Sequence, residues 1–126
     1  MTTEEKLREV LLPVFNLKSA EQIQPGHSLI GDLGADSLDF VEIIHLIDRN
    51  FGIEMSANEI LLGGQKLNME EMFQDNLLTE SGARVLQSTF AAREDNIRPG
   101  MNKIELFTLL TVHDLALIIE SRLAKA

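Results

Sequence analysis

The stretch GDLGADSLD, residues 31–39, constrains the fold most, because it places a turn directly before the most apolar segment of the chain. Gly31 and Gly34 permit the tight or left-handed backbone of a turn, and Asp36 is a suitable N-cap for a helix. Apolar residues then recur at helical spacing, which predicts a helix over about 37–50, closed by Phe51-Gly52. One helical face contains Phe40, Ile44, Ile47 and Phe51, and the side chains expected to point inward or into contacts also include Leu38, Val41, Ile43 and Leu46.

Ser37 is the first residue of this predicted helix, and a serine there has two interpretations. Serine and aspartate are common at helix starts for capping reasons alone, so an Asp-Ser pair before an apolar run is usually structural. An exposed hydroxyl at a helix N-terminus is also a favourable place to carry a phosphate, since unpaired N–H groups and the positive end of the helix dipole face it. The residues around Ser37 favour the second interpretation.

Six consecutive residues, Gly34-Ala35-Asp36-Ser37-Leu38-Asp39, closely resemble the phosphopantetheine attachment motif that opens the second helix of acyl carrier proteins. The resemblance continues through residues 40–44, where the family also has an apolar helix with acidic positions. It implies that Ser37 accepts 4′-phosphopantetheine from coenzyme A, and that the thiol of this arm holds an acyl group as a thioester. It further implies a separate phosphopantetheinyl transferase, whose Mg²⁺ ion neutralises charge at the β-phosphate, with Asp36 helping to orient that complex.

The whole chain is expected to be all-α, an acyl-carrier-like bundle of three main helices with short additional ones. An apolar stripe indicates a first helix over about 3–15, although Pro13 favours an end or kink near Leu12. A last helix begins at the box formed by residues 111–114, and carrier proteins show the same Thr-Val-x-Asp-Leu start. The expected inward residues are Leu7, Val10, Leu11 and Val14 in the first helix, Leu17, Ile23, Leu29 and Leu33 in the loop over 16–36, and Val112, Leu115, Ala116, Ile119 and Leu123 in the last helix.

At 126 residues the chain is expected to form one acyl-carrier-like domain, 1–126, in which residues 57–103 are an insertion. Carriers of the family cross from the second helix to the last with a much shorter segment. Capping residues predict short helices after Ser56, Asn68 and Thr79, and residues 104–110 lead into the last helix. Residues 69–80 contain four acidic side chains and no Lys or Arg. We hypothesise that the insertion shapes partner choice or an acyl-binding cavity.

Twenty acidic and 11 basic side chains give a formal net charge of −9, which disfavours nucleic acid and anionic membranes and favours basic protein surfaces. The resemblance implies that acidic groups of the second helix meet basic patches on the transferase and on acyl-transferring or synthase enzymes. The first residues lack the pattern of a signal peptide, and no apolar run is long enough to cross a membrane. We therefore expect a cytoplasmic monomer. Its expected partner-binding residues are Leu38, Asp39, Glu42, His45 and Asp48.

Other chemistry is disfavoured by the residues themselves. The chain has no cysteine, so disulfides and thiolate metal sites are excluded, and a thioester needs sulfur from a prosthetic group. His113-Asp114 has no ligand spacing to the other two histidines, so no metal site is expected. The serine motif is not an esterase block, because Ala35 interrupts it and a late Asp-x-x-His is missing. We expect no catalytic residue in this chain, which is a substrate of other enzymes.

Two alternatives remain open on the sequence alone. A carrier of this type serves fatty-acid, lipid or polyketide-type biosynthesis, or it holds an aminoacyl or peptidyl unit, and no residue decides between these cargoes. A chain with this fold that never bears the arm would instead be an unmodified interaction or regulatory module. Such a module has no need of the serine at position 37.

Overall fold

The computed structural model describes residues 2–63 and 67–125, and it is built mainly from α-helices, as the sequence predicts. Three helices frame one core, namely α1 (Thr3–Leu11), α2 (Ser37–Phe51) and α7 (Val112–Lys125). Between α2 and α7 lie α3 (Ala57–Leu61), α4 (Met69–Met72), α5 (Glu80–Thr89) and α6 (Lys103–Thr108). Short 3₁₀ turns occupy Ala20–Gln22 and Ala91–Asn96, and an antiparallel hairpin joins β1 (Phe73–Gln74) to β2 (Leu77–Leu78).

Helix α1 ends at Leu11, which is short of the predicted range of 3–15 but matches the end near Leu12 that Pro13 favours. Thr2 caps it by accepting a hydrogen bond from the backbone N–H of Glu5. Pro13 has no N–H to continue the helical ladder, and the chain leaves the helix through the turn that follows Leu11. Leu7 and Leu11 are fully buried and pack α1 against α7 and α2.

Helix α2 begins and ends where the sequence predicts, but its inward face is shifted. Gly52 adopts the left-handed conformation with φ of 71° and closes the helix. The buried residues are Phe40, Ile43 and Ile47, whereas Ile44 and Phe51 are half-buried. Leu38 and Val41 are 76% and 65% exposed, so the prediction that they point inward or into contacts is wrong. Because α2 packs through one stripe, these two residues fall on its opposite side.

The long loop before α2 is anchored to the core, as predicted. Ile23 and Leu29 are fully buried in it, and Leu17 and Leu33 pack against the core as half-buried side chains. The Leu29 N–H donates to the carbonyl of Leu110 at 3.1 Å. This hydrogen bond fixes the loop beside the start of α7.

Helix α7 begins with the predicted capping arrangement. The N–H of Asp114 donates to Thr111 Oγ1 at 3.1 Å, and the N–H of Thr111 donates to Asp114 Oδ2 at 3.0 Å. Leu115 and Ile119 are fully buried, but Leu123 is 40% exposed, so the prediction that it points inward is wrong. The inward stripe of α7 therefore ends one turn earlier than expected.

The region between α2 and α7 has a hydrophobic core of its own, which we call the second core. Its short helices begin after the predicted caps Ser56, Asn68 and Thr79. The sequence also predicts that Gly63-Gly64 ends the first of them, and Gly64 lies outside the described residues. Its buried residues run from position 61 to position 106; they are Leu61, Leu62, Met72, Phe73, Leu78, Ala83, Leu86, Ile97 and Leu106. We call the cluster under α1, α2 and α7 the first core; it contains Leu7, Leu11, Ile23, Leu29, Ile43, Ile47, Ile60, Leu110, Leu115 and Ile119 among others.

Two elements of the second core depart from the sequence expectation. Residues 103–108 form a separate helix, α6, capped by Asn102, rather than a lead into the last helix. Asp75 and Asn76 have positive φ values of 54° and 65° and make the two-residue turn of the β-hairpin. Among residues other than glycine, aspartate and asparagine adopt positive φ most readily, so this pair suits the turn.

Candidate functional site

The site is built around Ser37, which is exposed at the first position of α2. Asp36 precedes it as the N-cap, and its Oδ1 accepts a hydrogen bond from the N–H of Asp39 at 2.8 Å. Asp39 Oδ2 in turn accepts from the N–H of Asp36 at 3.0 Å. Among the residues that the structure describes, the Ser37 hydroxyl makes no hydrogen bond and is exposed to solvent.

Hydrogen bonds to neighbouring segments hold the turn that precedes Ser37. Gly34 supplies a positive φ of 76°, which L side chains rarely adopt. Ser28 accepts a hydrogen bond from the N–H of Gly31 at 3.0 Å, and its Oγ donates to the carbonyl of Thr108 at 2.7 Å. The N–H of Ala35 donates to the carbonyl of Leu29 at 2.9 Å. These bonds hold the loop against the end of α6 and position Ser37 at the surface.

The predicted partner-binding residues occupy the outer side of α2, with one exception. Leu38, Glu42, His45 and Asp48 are exposed. Asp39 is half-buried and its carboxylate belongs to the capping box, which engages one of its oxygens in the helix start.

Val41 also belongs to this surface, although the sequence pattern predicts that it points inward or into contacts. It is exposed and lies three residues after Leu38, four before His45 and seven before Asp48, so the four share one helical stripe. The signal that identifies it is this spacing from Leu38. An exposed apolar pair beside Ser37 is thus followed along α2 by polar residues.

An open groove of about 1170 Å³ runs beside this stripe and is bounded by α2, the segment 52–56, α3 and α7. Arg122 on α7 donates to Glu59 Oε2 at 2.7 Å and to the carbonyl of Glu54 at 3.2 Å. His45 and Asp48 line the α2 side. The groove wall therefore combines apolar surface with the Glu59 carboxylate, which is paired with Arg122, and with the carboxylates of Asp48 and Glu54.

His113 and Asp114 both make contacts within the chain. Asp114 caps α7, and His113 Nδ1 lies 3.3 Å from Glu4 Oε1 on α1. Within residues 2–63 and 67–125 no three acidic, histidine or cysteine side chains are grouped as metal ligands would be. Over the same residues no helix combines the length and apolar character needed to traverse a bilayer.

Comparison with known proteins assigns the family. The family described as "Phosphopantetheine attachment site" matches residues 5–69, which is about half of the chain and includes the whole of α2. The acyl carrier protein of Nitratidesulfovibrio vulgaris (strain DP4) is 37% identical over 59 residues, covering 47% of this chain and 76% of that protein. The acyl carrier protein of Syntrophus aciditrophicus (strain SB) is 38% identical over 60 residues, covering 48% and 74%. No solved structure matches significantly.

The fold and the match define a phosphopantetheine-binding carrier. The chain belongs to the family of acyl carrier proteins, whose members are substrates of other enzymes and carry 4′-phosphopantetheine covalently. The match ends at residue 69 and so leaves out most of the second core and all of α7. The resemblance noted at the start of the last helix lies outside the matched residues.

Proposed function

We propose that Ser37 is the residue that bears the 4′-phosphopantetheine of this carrier. The observation that carries the proposal is an exposed hydroxyl without a hydrogen bond, fixed at the first position of α2 inside the matched region. The N–H groups of the first helical turn face the same space, and they favour a phosphate at this position. The residues present therefore fit the group, which supplies a thiol that holds an acyl unit as a thioester.

Loading of Ser37 is a phosphoryl transfer from coenzyme A. Ser37 Oγ forms a bond to the β-phosphorus while the bond from that phosphorus to the oxygen bridging the nucleotide phosphate breaks. The nucleotide part of coenzyme A would leave with that bridging oxygen, the hydroxyl proton would pass to a base of the transferase, and the Mg²⁺ of that enzyme would neutralise the charge at the phosphate. Asp36 caps the start of α2. Because it directly precedes Ser37, we propose that its carboxylate helps to orient the complex with the transferase.

The partner surface that we propose is the exposed side of α2. Leu38 supplies an apolar anchor next to Ser37, and Glu42 and Asp48 supply exposed carboxylates further along. Partner enzymes with a basic rim around an apolar active-site mouth complement this arrangement. Asp39 and His45 complete the surface, and we add Val41 to it because of its exposure.

The cargo that we propose is an acyl intermediate of fatty-acid, lipid or polyketide-type biosynthesis. The relatives named acyl carrier protein support this class over an aminoacyl or peptidyl cargo. We further propose that the chain acts as one domain, a monomer in which the second core is an addition to the carrier core. The first core includes Ile60 and resumes at Leu110, so this addition extends through α6.

The test is loading with a promiscuous phosphopantetheinyl transferase, Mg²⁺ and coenzyme A, read by intact mass and by fragmentation. We expect one phosphopantetheine per chain on Ser37 and none on Ser37→Ala, with the helix content of the two proteins unchanged. Ser88→Ala is the matched control, because Ser88 is an exposed helical serine remote in sequence from the motif. An adduct on Ser37→Ala would show that the attachment site is wrong. A chain that no transferase modifies would indicate the unmodified interaction module.

A further inference from the structure

The region between α2 and α7 presents two large apolar side chains to solvent, outside the surface around Ser37. Ile104 is 72% exposed in the first turn of α6, and Leu77 is 44% exposed in β2. Both residues lie beyond position 69, where the family match ends. Single exposed apolar residues are ordinary, so these two indicate a binding surface only if they lie together.

Leu77 and Ile104 lie on segments that are hydrogen-bonded to each other. Leu77 forms an isolated antiparallel bridge with Asn102, and Ile104 follows Asn102 by two residues. The N–H of Leu78 donates to the carbonyl of Met101 at 2.8 Å, which holds β2 against the residues that lead into α6. The hairpin and the start of α6 therefore form one surface, which contains Leu77 and Ile104 and which we call the hairpin face.

The hairpin face carries an excess of acidic side chains. The segments that form it, residues 69–80 and 102–108, contain five acidic side chains and one basic side chain, Lys103. Lys103 is half-buried, whereas Asp75 in the hairpin turn and Glu105 in the first turn of α6 are exposed. The two apolar residues are thus surrounded by a surface of negative charge.

Helix α6 connects the hairpin face to the helix that begins at Ser37. At its far end the carbonyl of Thr108 accepts a hydrogen bond from Ser28 Oγ at 2.7 Å, in the loop that leads to Ser37. The ring of Phe107 packs against Phe40 of α2, with centroids 5.1 Å apart. Helix α6 has six residues and so spans about 9 Å. A standard interface covers about 800 Å² of each partner and is wider than that distance, so an enzyme bound at Ser37 can also reach the hairpin face.

We propose that the hairpin face is a second docking surface, for a partner enzyme that binds the exposed side of α2 and also presents an apolar pocket bordered by Lys or Arg. The inference rests on the proposed function and adds a contact that lies outside the segment matched by the family. A second copy of the chain would bring like charges together, and an anionic lipid surface would be repelled, so a basic protein fits this face best. Two linked contacts raise the effective concentration of each, so an enzyme that makes both is selected over one that contacts α2 alone.

The first experiment identifies what touches the hairpin face. A photo-crosslinking phenylalanine analogue replaces Leu77 or Ile104 in the full chain in its native cell, and the same analogue in place of Leu117, 49% exposed on α7, is the control. We expect the first two positions to join the same protein at a peptide that contains Lys or Arg, and the control position not to join it. The absence of an adduct at both positions, an adduct with a second copy of the chain, or a contact peptide without basic residues would overturn the proposal.

The second experiment measures the affinity of the holo chain for that protein after its purification. We expect Ile104→Asp to weaken binding roughly tenfold, because it places a charge against the apolar pocket, whereas Leu117→Asp leaves the affinity unchanged. Unchanged affinity in Ile104→Asp, or an equal loss in Leu117→Asp, would contradict a docking role for the hairpin face.

The charge of the face is tested separately at the hairpin turn. Asp75 has a φ of 54°, which asparagine also adopts readily, so Asp75→Asn removes the charge and keeps the turn. We expect about twofold weaker binding and a smaller salt dependence, with Glu120→Gln on α7 as the control of equal charge. An unaltered salt dependence in Asp75→Asn would count against a basic partner. Intact mass after loading reports on Ser37 alone in every variant, so failure of the attachment proposal is recognised independently.

Discussion

The two cores of this molecule are assembled in different ways. The first core joins α1 and α2 to α7, so residues from the beginning and the end of the chain meet in it. The second core gathers residues from one continuous segment, positions 61–106. Ten of the twelve largest fully buried side chains belong to the first core, and the other two are Leu62 and Leu86. Ser37 therefore begins a helix that the more completely buried, long-range core holds in place.

This difference suggests separate roles for the two cores. The segment matched by the family contains most of α1, the loop, α2 and α3, and it overlaps the second core only over 61–69. A local core folds from neighbouring residues and can change without rearranging the long-range contacts under α2. We infer that the second core modifies what the carrier does with its cargo or partners, while the first core keeps Ser37 in position.

Truncating one fully buried side chain in each core tests most directly whether the two cores are independent. Ile43→Ala removes packing under α2, and we expect a loss of about 2–5 kcal/mol in the free energy of unfolding. Leu86→Ala empties a similar volume in the second core and costs a similar amount locally. We expect hydrogen exchange of α2 to rise steeply in Ile43→Ala and little in Leu86→Ala, whose loading rate at Ser37 stays normal. Equal opening of α2 in both variants would show that the cores unfold as one unit.

The sequence predicted the first core better than the second for a physical reason. Long amphipathic helices with clear caps leave a periodic signal, and Asp36, Gly52 and Thr111 mark the starts and ends that the structure has. The motif that resembles an attachment site is continuous in sequence, so Ser37 can be proposed without knowledge of the fold. The apolar spacing alone does not mark the end of α1, because it continues beyond Pro13, which cannot continue the helix.

The parts that could not be predicted depend on tertiary contacts. Periodicity alone does not distinguish Val41 and Ile44 from Ile43 as inward positions, and only packing in the first core selects the stripe that is buried. The hairpin has strands of two residues each, too short for an alternating pattern. Helix α6 has six residues and is stabilised by its burial of Leu106 in the second core. Such short elements have little signal of their own.

Gly82 offers a sharper test of the second core. A Cβ at this position would lie 2.5 Å from the carbonyl oxygen of Met72, so α4 and α5 must separate to accept it. We expect Gly82→Ala to destabilise the second core by about 1–3 kcal/mol, despite alanine's higher helix propensity. Gly26→Ala is the control, since its Cβ meets nothing within 4 Å. Methyl NMR and thermal unfolding measure the effect, and a stabilised Gly82→Ala would mean that α4 is not packed as described.

Substitutions of Asp36 test whether its effect on helix stability can be separated from its proposed effect on the loading of Ser37. Asp36→Ala removes the acceptor for the N–H of Asp39 and should cost about 1 kcal/mol. We also expect slower transfer of phosphopantetheine to Ser37. Asp36→Ser retains a capping oxygen without the carboxylate, so it should recover the stability but not the transfer rate. Full recovery of both by serine would assign Asp36 a purely structural role.

The smallest effect is expected at the ion pair that joins α3 to α7 at the wall of the groove. Arg122 Nη1 lies 2.7 Å from Glu59 Oε2, with the two side chains 21% and 26% exposed. Partial exposure allows water and salt to screen the pair, so we expect Glu59→Gln to cost no more than about 1 kcal/mol in chemical unfolding. The backbone N–H of Glu59 keeps its bond to Ser56 in the variant, so the helix cap is retained. A loss well above that of Asp36→Ala, unchanged at high salt, would mean that charge pairing rather than apolar burial holds the ends of the first core together.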